Sequence, residues 1–323
     1  MAFDIPILFL GYNRHDLFTK TLNRIFQINP KNIFISLDGP QANNLNDIDN
    51  CQEVREIAQS IDLPGCNIHL RVSEINLGCK EAVKSAIDWF FTEVEYGIIL
   101  EDDCFPSISF FPFCEEMLKK YSNDDRISHI SGSNFQYGIW RGLGSYYFSQ
   151  YTHIWGWATW RRAWLDYDVS MKYFESANVF KQKRKYLPFS LMQEVYEGKI
   201  DTWDIQWFYT NILHGRLTII PNINLVQNIG FGKDATHTTG KIFPYIKLTA
   251  TGELILPFKH KRSVKVNRRA DKLVSIKVFG NKPETFFQNQ LFSLNLKFYK
   301  YFSILKIRVF SKRILRFHND LKL

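Results

Sequence analysis

The first 130 residues alternate between two hydrophobic periods, and only a layered fold accommodates both. Residues 5–10 (IPILFL) form an unbroken apolar run. Such a run makes a strand buried on both faces, which needs cover from two sides. Residues 15–28 follow with Phe18, Leu22, Ile25 and Phe26 at helical spacing. The alternation then repeats. Residues 33–37, 68–72, 97–100 and 127–131 read as strands, and 48–61 read as a helix. Asn76-Leu77-Gly78 leads into a helix with Ala82, Val83, Ala86, Ile87, Phe90 and Val94 on one side. Pro106 suits the first turn of another helix, continued by Phe110, Phe113, Met117 and Leu118. This pattern predicts an α/β fold, a mostly parallel sheet flanked by helices. After Gly132 the alternation stops. Residues 134–175 are rich in Tyr, Trp and Gly, 176–215 read mostly helical, and 217–256 return to short strands and loops. The expected divisions are 1–132, 133–256 and 257–323.

The charge is uneven. Residues 257–323 carry 17 Lys and Arg against three acids, a net of +14, which leaves −5 for the rest of a +9 chain. An acidic body with a basic tail points to two jobs in two places. The five cysteines are odd in number and include no C-x-x-C pair. That excludes a disulfide framework and a zinc site of the usual spacing, and predicts a reducing compartment. The apolar start is short and lacks a basic n-region, so it reads as a first core strand rather than a signal peptide. No uncharged apolar run approaches membrane-spanning length.

Ligands of open parallel sheets bind outside the carboxyl ends of the strands. Three predicted strand ends carry residues suited to that task. The fourth strand is followed directly by Glu101-Asp102-Asp103. Three adjacent acids repel one another unless a cation joins them, and oxygen ligands without His or Cys select Mg²⁺ or Mn²⁺. The alternative is a solvated loop in which an acid caps the next helix. The first strand ends in Gly11-Tyr12-Asn13-Arg14, where Gly11 would let the backbone approach a ligand and Arg14 would meet a phosphate or base. The second ends at Asp38, which could accept a hydrogen bond from a base or ribose, although Asp-Gly-Pro is also an ordinary turn. Trp155-Gly156-Trp157 offers indole faces to a pyranose with a close-approach glycine between them; a packed aromatic core is the competing account.

Together these segments resemble the GT-A-fold glycosyltransferases, in particular bacterial relatives of N-acetylglucosaminyltransferase I. PILFLGYNR, ISLDGP, IILEDD, the pair IWGWATW and TWDIQW, and the late segment PNINLVQNIGFGKDATHT carry the resemblance over about residues 5–240. It implies a Rossmann-like sheet, a nucleotide-diphosphate sugar donor, and a bound Mn²⁺ or Mg²⁺. Asp103 then corresponds to the direct metal ligand and Asp102 faces the donor ribose. Arg14 and Asp38 fall on donor-nucleotide positions, and Asp204 matches the catalytic base. Lys233 would meet phosphate and His237 would be a further metal ligand in the late loop. Residues 133–256 become the acceptor-side half of the same domain. Val72-Ser73-Glu74 stands where the eukaryotic members have a uracil-contacting His, which leaves the donor base open. Those members' membrane anchor is absent, as expected of a bacterial cytosolic enzyme making surface polysaccharide.

The implied chemistry is inverting transfer to a hydroxyl of a glycan or lipid-linked glycan. Asp201, three residues before Asp204, is the fallback base if one helix holds both. A sugar-phosphate nucleotidyltransferase is the nearest rival, but such enzymes resemble one another in a longer Gly-rich loop than GYNRHD. The basic tail also raises nucleic-acid binding, yet it holds none of the usual signatures, so no nucleic acid is expected. Lys300, Arg308, Lys312 and Arg316 instead recur at multiples of four among dense apolar residues. Residues 284–323 thus read as a basic amphipathic helix that rests peripherally on an anionic membrane or docks on the body.

Overall fold

The computed structural model describes residues 2–177, 180, 187–231 and 251–281. The protein has the expected α/β architecture, a mostly parallel mixed sheet flanked by helices. Strand β1 (Ile7–Gly11) lies between β2 (Asn32–Leu37) and β4 (Tyr96–Glu101), parallel to both. Strand β3 (Asn67–Val72) continues the parallel set beyond β2. Alternate side chains of β1 serve opposite faces. Ile7 and Phe9 join a core with Phe18, Leu22 and Ile25 of α1 (His15–Phe26), Val54 of α2 (Leu45–Gln59) and the buried face of α4 (Phe110–Lys120). Leu8 and Leu10 join a second core with Val83, Ile87 and Phe90 of α3 (Gly78–Glu93). That two-sided burial is why the run is apolar throughout.

The second half of the chain completes the same sheet. Strand β8 (Trp157–Trp160) runs antiparallel between β4 and β6 (Ile127–Ser131). Strand β9 (Leu217–Pro221) is parallel to β6, and β7 (Tyr146–Ser149) closes the edge antiparallel to β9. The order is β3-β2-β1-β4-β8-β6-β9-β7. A separate ribbon pairs β5 (Cys104–Pro106) with β10 (Val226–Asn228). Pro106 therefore faces Val226 at the end of a strand and does not open a helix. Helix α4 starts at Phe110, and the Glu253 carboxylate accepts from the amides of Ile108 and Ser109 just before it, at 3.2 and 2.8 Å.

Four further helices are α5 (Arg161–Trp164), α6 (Phe189–Tyr196), α7 (Asp204–Leu213) and α8 (Arg268–Lys277). Helices α6 and α7 share a satellite core with Tyr151, Met171 and Phe174. All five cysteines are free. No helix among the described residues is long and apolar enough to cross a membrane. The amphipathic segment expected at 284–323 lies outside the described residues.

Candidate functional site

Strands β1, β2 and β4 end side by side, with Gly11 opposite Leu37 and Leu10 opposite Glu101. From β1 the chain steps outward to β2 and β3 and then crosses back through α3 to β4 on the other side of β1, so the strand order reverses there and the strand ends open a crevice. A cleft of about 510 Å³ lies there. It is lined by Arg14, Asp38 and all three acids of residues 101–103, and also by Asp201, Thr202 and Asp204.

The cation that joins the acid triplet is a side chain. The Arg14 guanidinium pairs through Nη2 with Asp102 Oδ1, through Nε with Asp102 Oδ2 at 3.3 Å, and through Nη1 with Asp103 Oδ2 at 3.1 Å. Burial alone would lower the Arg14 pKa, but Asp102 and Asp103 more than offset it, and the net shift is upward. One guanidinium cannot serve three carboxylates. Glu101 Oε1 is buried without a hydrogen-bond partner among the described residues. Burial, then the charges of Asp103 and Asp102, push Glu101 far above the usual carboxylate range. Asp102 is pushed up by burial against the pull of Arg14.

Asp204 opens α7, and Thr202 Oγ1 donates to its Oδ1. Asp201 precedes the helix and lies 3.7 Å from Lys80 Nζ, so the two acids do not share a helical face. Cys79, half-buried on the cleft lining, reports the field. Burial and then the charges of Glu101, Asp204, Asp201 and Asp38 push its thiol up to about 12. Four carboxylates from three separate elements converge on that point.

Several residues expected here have other tasks. Gly11 does line the cleft, and a Cβ there would also meet the Phe18 ring at 2.7 Å and Leu37 at 2.9 Å, so the packing of α1 on the sheet requires this glycine as well. Gly156 has φ +62°, and a Cβ there would meet Val226 at 2.7 Å and Leu100 at 3.1 Å. It joins β8 to the β5–β10 ribbon and does not line the cleft. Trp157 is fully buried, stacked on His129 at 4.9 Å and Trp203 at 5.6 Å. It has no open face for a sugar. Of that segment Trp155 alone, half-buried against Phe135 and Phe231, reaches the cleft. Arg14 is directed at the acids rather than left free for phosphate. Asp102 is 2% exposed, with each oxygen accepting from Arg14. Asp38 accepts from the amides of Gly39 and Leu77 and from Asn76 Nδ2, tying the end of β2 to the start of α3. Lys233 and His237 lie outside the described residues.

Two contributors had not been singled out in the sequence. Arg71 reaches the cleft from the end of β3. Its Nη2 donates to Ser85 Oγ at 3.2 Å, while Nη1 is buried without a partner among the described residues. The strand-end logic applied to β3 would have found it. Gly230 is the other. A Cβ there would meet Asp103 Oδ2 at 2.5 Å and Arg14 Nη1 at 2.9 Å, so the late loop sits directly on the acid pair. The Ile229 amide donates to the Asp103 carbonyl at 2.8 Å. Among the described residues no three His, Cys, Asp or Glu side chains are grouped as metal ligands.

Fold and cleft together define an α/β protein with an acidic ligand site at the carboxyl ends of its parallel strands. No family model matches the sequence, and no curated protein matches it. Among solved structures the chain is similar to a mannosyltransferase from Pyrobaculum calidifontis in complex with GDP-Man and Mn²⁺. That similarity has 12% identity over 65% of this chain and 68% of the other, with a TM-score of 0.37. It is also similar to HddC from Yersinia pseudotuberculosis, at 11% identity over 49% of this chain and 77% of the other, with a TM-score of 0.29. At these identities and TM-scores neither likeness bears on activity.

Proposed function

We propose that this protein is a glycosyltransferase that takes a sugar from a nucleotide-diphosphate donor and passes it to a hydroxyl acceptor. One observation carries the reading: a single cleft at the ends of three parallel strands is lined by both the Arg14–Asp102–Asp103 cluster and Asp204. Resemblance of the same segments to relatives of N-acetylglucosaminyltransferase I supports it. Arg71, with a guanidinium nitrogen to spare, meets the anionic nucleotide. Trp155 packs against the apolar side of a sugar ring. Asp204 takes the proton of the attacking hydroxyl. Attack from the side opposite the leaving diphosphate inverts the anomeric centre.

The donor set of the cleft is all oxygen, which suits Mn²⁺ or Mg²⁺, but the protein alone does not complete a coordination sphere. Asp103 would hold such a cation with phosphate oxygens and water as its other ligands, as Mg²⁺ sites commonly do. Bound there, it would supply charge stabilisation to the leaving diphosphate. His237 and Lys233 would add to this site from the late loop. The acceptor on this reading is a glycan or lipid-linked glycan of bacterial surface polysaccharide, reached from the inner face of the membrane through residues 284–323.

A screen of sugar nucleotides for thermal stabilisation, with and without Mn²⁺, tests the proposal. A ligand at a hundred times its dissociation constant adds about 2.7 kcal/mol to stability. One sugar nucleotide should raise the melting temperature in Mn²⁺, and Asp103→Asn should remove the metal-dependent part of that rise. If no sugar nucleotide does so, and pyrophosphate exchange into a nucleoside triphosphate is detected, the nucleotidyltransferase reading replaces this one.

A further inference from the structure

A second cavity, of about 400 Å³, lies at the far edge of the sheet from the acidic cleft. It is built between edge strand β7, the segment 261–267 and the first turn of α8. Phe148 and Val266 form a β-bridge there, and the Asn267 amide donates to the Phe148 carbonyl at 2.7 Å. The lining includes Lys261, Lys265, Arg268 and Arg269 and no acid. None of these four side chains has an ion pair among the described residues, whereas Asp271 nearby is occupied by Ser149 Oγ and the Gln150 amide. Residues 259–269 contain six Lys and Arg and no Asp or Glu. Cations gathered without counter-charges repel one another, and the first turn of a helix adds further positive potential. Arg268 and Arg269 open that turn, where acids are the favoured residues, and its one acid, Asp271, is turned to Ser149 and Gln150. Such an arrangement is stabilised by an anion.

The neighbouring turn selects the kind of anion. The turn 139–144 packs beside Lys261, and the Ser145 amide donates to the Lys259 carbonyl at 2.8 Å. On it Trp140 is 48% exposed and Leu143 is 93% exposed. A soluble phosphate has no use for a projecting indole and isobutyl group. A lipid surface has a use for both, with apolar tips at the acyl boundary and cations at the headgroups. We propose that this edge of the protein binds the phosphate headgroups of an anionic lipid surface, Trp140 and Leu143 inserting beside the basic cavity. The proposal stands apart from the donor chemistry of the cleft and from any role of residues 284–323.

Co-sedimentation of the full chain with vesicles of equal parts phosphatidylglycerol and phosphatidylcholine tests it. The wild type should bind these, bind phosphatidylcholine vesicles far less, and release at high salt. Lys265→Glu with Arg268→Glu and Arg269→Glu should weaken binding at least about tenfold, since each cation near an anionic surface contributes appreciably. Acids in the first turn of α8 suit the helix, so the variant should fold; Lys265→Gln with Arg268→Gln and Arg269→Gln is the milder check. Leu143→Asp should weaken binding a further few-fold. A wild type that ignores anionic vesicles overturns the proposal. So does a folded triple variant that binds them as well as wild type does, the contact then belonging to residues 284–323. Full competition by soluble glycerol phosphate, together with no effect of Leu143→Asp, would mean a site for free phosphate esters and would equally overturn the lipid assignment.

Discussion

Two clusters of buried titratable groups flank strand β8, and they are built on opposite plans. At the strand ends, Asp102 and Asp103 share the single guanidinium of Arg14, and Glu101 Oε1 beside them has no hydrogen-bond partner among the described residues. Around β6, His129 is satisfied at both ring nitrogens. Trp207 Nε1 donates to its Nδ1 at 3.1 Å, and its Nε2 donates to the His153 carbonyl at 3.1 Å. Burial holds His129 and His153 neutral, with pKa values pushed down to about 3. The aromatic cluster does contain orphans, Trp157 Nε1 and His153 Nε2. They are neutral at any ordinary pH, and each costs about 1–3 kcal/mol, whereas Glu101 escapes the larger cost of a buried charge only by holding a proton far above the usual carboxylate range. The aromatic cluster thus serves the fold. The acid cluster opens to a cleft and, among the described residues, has one guanidinium for its three carboxyl groups.

The comparison can be broken most severely at Asp204. Asp204→Asn keeps the Oδ1 acceptor for Thr202, so the protein should fold and bind donor normally. Turnover should fall by roughly 10²–10⁴, the usual effect of losing a general base. Near-wild-type turnover in a steady-state assay would move the role to Asp201 or elsewhere. On the aromatic side, Trp157→Ala should cost about 3–5 kcal/mol by denaturant titration, because a fully buried indole leaves a cavity. A loss below about 1 kcal/mol would show that the ring is not the core element its burial implies.

Arg14→Gln tests whether the acid cluster relies on its one cation. Removing the partner of a buried carboxylate should destabilise by about 3 kcal/mol at neutral pH, and less in acid, where the orphaned carboxylates take up protons. An equal loss at both pH values would contradict the electrostatic origin. The smallest effect is a slope. The His129 pKa is about 3 in the folded protein against an ordinary 6.5, so below 6.5 the unfolded chain takes a proton that the folded chain refuses. The contribution is intact above pH 6.5 and is lost as pH falls toward 3, at about 1.4 kcal/mol per pH unit for this ring. Thermal melts across that window should show it. His129→Gln should reduce the histidine part of the slope by about half, because His153 remains.

Periodicity made the parallel half legible. A run apolar at every position, as in β1, can only be a strand covered on two sides, and helices of matching length supply the cover. The acid triplet at the end of β4 was equally legible, because strand ends are where such sheets place ligands. The sequence does not encode, in any local pattern, that β8 enters the sheet between β4 and β6 from residues 157–160. Nor does it separate Trp155, half-buried at the cleft, from Trp157, fully buried two residues later. Both are indoles in one Trp-rich segment, and only the sheet they enter decides which ring meets solvent. The glycines divide the same way. Gly156 read locally as a ligand approach but is required by Val226, far along the chain, whereas Gly11 lines the cleft as read and is required by Phe18 and Leu37 as well. Arg14 is the clearest case. Its charge was visible in the sequence, but its partners 88 and 89 residues away were fixed only when β1 and β4 paired in register, since Coulomb attraction acts through space and not along the chain.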